Sequence, residues 1–213
     1  LLINRNKTNR LTNYEREYMN EIVMHKEVVF MMLESILETY ESNRSEISKK
    51  QAQILLKKEP EFYTEESAYK DILDELDDFI GRSFTVQLSD KIEYLFRQLC
   101  NEIQEKNKFI LSYSDLNGKP IEKALKYCMQ LNIRFTKAEF QEIELLDKLR
   151  NCIVHADGNI LESKDTIILN KISKDRKLHF NGFENTLYIS IDNCRRILIS
   201  CKQEVEAIFS KRG

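Results

Sequence analysis

Thr136-Lys137-Ala138-Glu139-Phe140-Gln141-Glu142-Ile143-Glu144-Leu145-Leu146-Asp147-Lys148-Leu149-Arg150-Asn151-Cys152-Ile153-Val154-His155 reads as a single amphipathic helix. Thr136 and Glu139 have the spacing of a capping box, in which the hydroxyl bonds forward and the carboxylate back to free backbone donors. Phe140, Ile143, Leu146, Leu149 and Ile153 then recur at helical spacing, which predicts one buried face over about 137–157. Ala156-Asp157-Gly158-Asn159 ends the run, with Gly158 expected as a left-handed cap.

The same period recurs through most of the chain and sets the fold class as mainly α. Thr12 and Glu15 make a second capping box after a polar arm at 1–11. It opens a helix expected to run to about Glu41, with Tyr18, Ile22, Met24, Val28, Met31, Met32, Ile36 and Leu37 as its apolar contacts. A separate helix is expected over about 45–58, stopping before Pro60. Thr64 caps the next, through Tyr69, Ile72, Leu73, Leu76, Phe79 and Ile80, with a kink expected at Gly81. Leu88, Ile92, Leu95, Phe96, Leu99 and Ile103 continue it to about Lys106. The acidic cluster Asp71, Asp74, Glu75, Asp77 and Asp78 reads as a solvated face rather than a metal site.

Residues 114–120 form a turn, and Pro120 opens a short helix carrying Ile121, Leu125, Cys128 and Leu131. Beyond the Thr136 helix the texture changes. Thr166–Leu169 and Thr186–Ile191 are β-rich, with Asn181-Gly182 as a turn between them, so 162–191 is expected to be a small β-hairpin appendage. Asp192 then caps a C-terminal helix whose buried face holds Ile197, Leu198, Cys201, Val205 and Ile208. One domain over 1–213 is the natural size.

Composition narrows the function classes. The 33 basic and 35 acidic residues give a net charge of −2, so no global basic field recommends nucleic acid. The pairs Lys49-Lys50, Lys57-Lys58, Arg195-Arg196 and Lys211-Arg212 read as solvated helix faces. Five cysteines without a C-x-x-C pair point to buried thiols in a reducing cytosol. Residues 1–20, rich in Arg, Asn, Lys and Glu, do not read as a signal peptide. The longest apolar run, 28–33, is too short to cross a membrane, so the expectation is a cytoplasmic protein with no membrane partner. No Gly-rich phosphate loop or zinc-ligand spacing appears, and neither a cofactor nor a metal is expected.

A polar stripe crosses the Thr136 helix. Asp147, Asn151 and His155 follow each other at i, i+4, and Arg150 lies three residues after Asp147, spacings at which side chains touch on a helix surface. The stripe supplies a fixed positive charge, a neutral amide and an imidazole, a group that titrates near neutral pH. Such groups can hold a phosphodiester and move its protons without a metal. Of the three histidines, only His155 has an Arg four to seven places before it. Asp147 is placed to hold Arg150. Arg150 and His155 lie roughly 140° apart around an ideal helix at about 100° per residue, so one copy does not aim both at one atom.

Arg150, Asn151 and His155, late in an all-α chain, resemble the Arg-x4–6-His signature of the HEPN superfamily, whose pattern often has a polar residue after the Arg. The resemblance implies a HEPN-like helical bundle and a homodimer in which two motifs meet in one composite cleft. It also implies a metal-independent endoribonuclease of a toxin–antitoxin or antiphage system, acting on an RNA substrate and held by an antitoxin or regulatory protein. Arg150, Asn151 and His155 would be its catalytic residues. Two other readings stay open: a non-catalytic HEPN-type module that dimerises and binds a nucleotide or partner, and a helical scaffold in which Arg150 and His155 merely cap carbonyls.

Overall fold

Nothing between Asn13 and Lys58 stops a helix, and in the computed structural model this stretch is one continuous helix, α1. The structure describes residues 13–131, 133–170, 179–181 and 185–211. The polar arm, the Thr12 cap and the Gly182 turn lie outside them. At a rise of about 1.5 Å per residue, α1 is roughly 70 Å long. The break expected between Glu41 and residue 45 is absent. Ser42 and Asn43, both weak helix formers, turn their side chains back onto the Glu38 and Thr39 carbonyls at 2.8 and 2.7 Å. They bond within the helix instead of ending it.

The buried stripe of α1 is Phe30, Leu33, Leu37 and Tyr40. Met24, Val28, Met31, Met32 and Ile36, expected as core contacts, are 40–58% exposed on other faces. Of the expected set, Leu37 is buried.

The 59–64 connection turns the chain back into α2, Glu65–Asn107, capped by Thr64 and Ser67 in a reciprocal pair. The two helices run antiparallel, since Ser45 meets Tyr69 and Tyr40 meets Asp77 further along. Asp77 is 8% exposed and accepts from Tyr40 Oη at 2.6 Å and Arg44 Nη1 at 3.0 Å. Burial, then the Asp77 hydrogen bond, drives the Tyr40 phenol well above its ordinary value. The solvated-face reading therefore holds for Asp71, Asp74 and Glu75 but fails for Asp77 and Asp78. Asp78 pairs with Arg82 at 2.9 Å and accepts from the Ile189 amide at 3.3 Å. In the same register Phe79 faces out, 66% exposed.

Gly81 does not interrupt α2. A Cβ there would stand 1.8 Å from the Ile189 carbonyl oxygen, so the glycine admits the close approach of the chain before the last helix. Beyond it Leu88, Ile92, Leu95, Phe96, Leu99 and Ile103 are all buried, as their spacing predicts. No helix among the described residues is long and apolar enough to cross a membrane.

A 3-10 turn, Tyr113–Asp115, leads to α3, Pro120–Gln130, which buries Ile121, Ala124, Tyr127 and Cys128. Thr136 and Glu139 do form a box, with Glu139 Oε2 accepting from the Thr136 amide at 2.7 Å, but the box opens a 3-10 turn, Lys137–Phe140. The α-helix proper, α4, is Gln141–Ala156. Its first amides are satisfied from afar: the Glu204 carboxylate accepts from Glu142 N at 2.9 Å and Ile143 N at 3.0 Å. Removing that acceptor in Glu204→Ala should lower stability by about 1–3 kcal/mol, read as a shifted urea midpoint at unchanged slope.

Lys211 binds Glu139 and, with the Thr136 bonds, holds its carboxyl down to about 2 from the usual 4.5. Because the folded value is the depressed one, this contribution is present above the ordinary value and lost as pH falls from 4.5 toward 2. Acid titration of Glu139→Gln followed by circular dichroism should show a smaller loss of stability across that window than wild type.

The 162–191 appendage differs from expectation. Residues 166–170 are helical, not a strand. Thr166 donates its hydroxyl to the Ile160 and Ser163 carbonyls, Leu169 N reaches Asp165 O, and Leu169 is buried while Ile167 is 85% exposed. The local bonds and one-sided burial outweigh the β-branched composition. Strand β1, His179–Asn181, pairs antiparallel with β2, Thr186–Tyr188, in the register 179 with 188. Ser190, not Asp192, caps the final helix, α5, Ile191–Ser210, accepting from Asn193 N. Ile197, Leu198, Cys201, Val205 and Ile208 are buried as expected. Lys202 bonds Glu34 and Arg195 bonds Glu41, so α5 runs antiparallel to α1. All five cysteines are buried, and none of them is in a disulfide.

Candidate functional site

The polar stripe is carried by α4, whose opposite face buries Ile143, Leu146, Leu149 and Cys152. That burial fixes the helix phase and turns Asp147, Arg150 and Asn151 to the half-buried flank and His155 to solvent. Three of the four are joined. Arg150 Nη1 donates to Asn151 Oδ1 at 3.1 Å, and Asn151 Nδ2 donates to Asp147 Oδ2 at 3.3 Å. Asp147 thus reaches Arg150 through the amide and not directly, a correction to the expected contact.

Lys119, just before α3, completes the chain by donating to the same Asp147 oxygen. The Asp147 hydrogen bond raises the Lys119 amine above its ordinary range, against the opposing effect of burial. Sequence reading gave no sign of Lys119, because it lies 28 residues from Asp147 and has no periodic relation to it. Arg150 itself bonds a neutral amide, so within this network its guanidinium charge is not matched by a carboxylate.

His155 is exposed in the last turn of α4. The helix end beneath it turns through two left-handed residues and is held by two contacts. Asp157, at φ 47°, is the first left-handed residue, one place before the glycine expected there, and Gly158 follows at φ 75°. Arg82 donates to the Asp157 carbonyl at 2.9 Å, and the Leu187 amide donates to the Gly158 carbonyl at 2.8 Å. Arg82 is the second positioning group that sequence reading missed, although its pairing with Asp78 at i, i+4 was legible. Burial pushes the Cys152 thiol up, so it offers no nucleophile at neutral pH.

Arg150 and Asp147 also line a cavity of about 160 Å³ between α2, α3 and α4, which neither Asn151 nor His155 borders. One copy of the chain therefore brings Asp147, Asn151 and Arg150 together and leaves His155 apart. Among the described residues no group of three or more His, Cys, Asp or Glu is placed to hold a metal ion. Of the basic pairs, Arg195 and Lys211 are engaged with Glu41 and Glu139 rather than aligned as a phosphate track. Compared with known protein families, with curated proteins and with solved structures, the chain has no match in any of the three.

Proposed function

We propose that this chain is a metal-independent endoribonuclease with a HEPN-like helical arrangement, working as a homodimer through the exposed end of α4. One observation carries the reading. On α4 a guanidinium tied to a neutral amide and an exposed imidazole lie on the same helix, close together but turned apart. A second copy related by twofold symmetry can place both kinds of group on one phosphate.

In the proposed reaction the ribose 2′-oxygen attacks the adjacent phosphorus in line with the 5′-oxygen. The O2′–P bond forms as the P–O5′ bond breaks. His155 takes the 2′-hydroxyl proton, and His155 of the partner subunit gives a proton to the departing 5′-oxygen. Arg150 stabilises the charge that builds on the phosphoryl oxygens. Asn151 orients that guanidinium, and Asp147 and Lys119 act as positioning residues through it. The products are a 2′,3′-cyclic phosphate and a 5′-hydroxyl, and DNA is refractory because it lacks the nucleophile.

Purified protein should cut single-stranded or loop RNA in EDTA and leave cyclic phosphate ends. Activity that requires added magnesium overturns this chemistry. Light scattering at micromolar concentration should give twice the mass of one chain, and a monomer counts against the composite site. A non-catalytic module that dimerises and binds a nucleotide or partner is favoured by the net charge of −2 and by the engagement of Arg195 and Lys211 in internal ion pairs, which takes both out of a phosphate track. Dimerisation without cleavage of any RNA decides for it.

A further inference from the structure

We infer that the cavity beside Arg150 receives one guanine of a single-stranded RNA, with the adjoining phosphate on Arg150 and Lys119. The inference rests on the ribonuclease reading for the identity of the strand, but the cavity's chemistry is argued independently. At about 160 Å³ it falls below the roughly 300–1,000 Å³ that drug-sized ligands occupy, and suits one planar ring system. Its floor is made by Ile92, Phe96 and Leu146, all buried, and the half-buried Pro120 gives the apolar face on which a base can lie.

Of the polar lining, Ser89 and Glu93 lie on α2 and Lys119, Asp147 and Arg150 across from them, with Lys119 donating to Asp147. Ser89 and Glu93 stand one helical turn apart on α2 and so share a face. Lys119 and Arg150 come from α3's approach and α4. A carboxylate only accepts hydrogen bonds. Guanine presents two adjacent donors, N1–H and the 2-amino group, which match the two oxygens of Glu93, where Oε1 also accepts from Arg97 Nη2 at 3.4 Å and keeps a second lone pair for the base. Its O6 can accept from the Ser89 hydroxyl. Adenine and cytosine set an acceptor beside their amino group, and uracil sets a carbonyl on each side of its one N–H, so each repels a carboxylate. On the other side, Arg150 can meet a phosphate oxygen with its fork of donors and Lys119 with its ammonium. Unpaired RNA is the form that offers a free base edge.

The test titrates the intact protein, in EDTA, with guanosine 3′-monophosphate and with the adenosine, cytidine and uridine 3′-monophosphates, read by calorimetry. Guanosine 3′-monophosphate should bind roughly 10- to 100-fold tighter than the others, in line with a bidentate pair. Glu93→Gln should erase that preference, Ser89→Ala should reduce it, and Arg150→Met should weaken all four alike. A short RNA containing guanine should displace the mononucleotide, and one without guanine should not. Equal binding of the four nucleotides, a preference kept by Glu93→Gln, or failure of the RNA to compete overturns the inference. Cleavage mapping separates it from the reading it rests on. Guanine selectivity without any RNA cleavage removes the ribonuclease and leaves the base site. Cleavage with no bias for positions next to guanine removes the base site and leaves the ribonuclease.

Discussion

His155→Ala and Arg150→Ala should each reduce RNA cleavage by about 10²–10⁴-fold while the fold stays intact. The size follows from what each group does. Without the imidazole the 2′-hydroxyl proton has no acceptor held within reach, and the 5′-oxygen must leave without a proton. Without the guanidinium, the charge growing on the phosphoryl oxygens is met by water and the partner's remaining groups alone. Both side chains lie outside the buried core, and His155 is exposed, so circular dichroism spectra and melting temperatures should match wild type. A side chain that merely caps a helix gives the opposite pattern, with lowered stability and retained cleavage. That outcome for His155→Ala would sink the proposed mechanism. Mixing the two inactive variants should not restore full cleavage, since the heterodimer holds one Arg150 and one His155 where the composite cleft uses His155 from both subunits.

Gly81→Ala should lower the melting temperature by roughly 6–12 °C, from a loss of about 3 kcal/mol at about 2–4 °C per kcal/mol for a chain of this size. The sign is the informative part. At an open helix position the same change stabilises by about 1 kcal/mol, because alanine is the better helix former. At residue 81 the added methyl meets the Ile189 carbonyl oxygen at 1.8 Å, and that carbonyl cannot swing aside. Ile189 is wholly buried, its amide is bonded to Asp78, and α5 begins two residues later. Either α2 or the strand must move, and the Cys194 thiol bonded to the Gly81 carbonyl moves with them. A raised or unchanged melting temperature would show that this approach of chain to helix is not made in solution.

The parts of the fold legible in the sequence share one property: a single apolar face. The second half of α2 and all of α5 have one such face, and their buried residues fall where the period puts them. The first half of α1 does not. From Val23 to Leu37 apolar side chains lie on nearly every side, so the period has no unique phase, and the stripe chosen from sequence is largely the exposed one. Residues 166–169 failed for another reason. Their β-branched side chains favour a strand, but Thr166 binds carbonyls three and six residues back and closes a helical turn.

For the candidate site, the contact of Asp147 with Asn151 was legible from their i, i+4 spacing, whereas the bond from Arg150 to Asn151 took the place of the direct Asp147–Arg150 contact that i, i+3 spacing suggested. Arg82 comes from α2 and Lys119 from the residue before α3, and a local pattern has no means to announce a partner supplied by tertiary packing. The acidic run of α2 shows the same limit. Its charges look alike in sequence, yet Tyr40 and Arg44 on the facing helix draw Asp77 into the interior.

The five thiols form a set of internal gauges. They stand on four helices, Cys100 on α2, Cys128 on α3, Cys152 on α4, and Cys194 and Cys201 on α5. None is exposed, and burial pushes Cys100 and Cys194 to about 12 and Cys128 to about 11. A closed molecule is therefore nearly inert to alkylating reagents at neutral pH, and each sulfur reacts only when its own helix lifts from its neighbours. Cys152 lies between Arg150 and His155, so its rate of modification times the opening of the helix that carries the proposed chemistry, with no label introduced from outside.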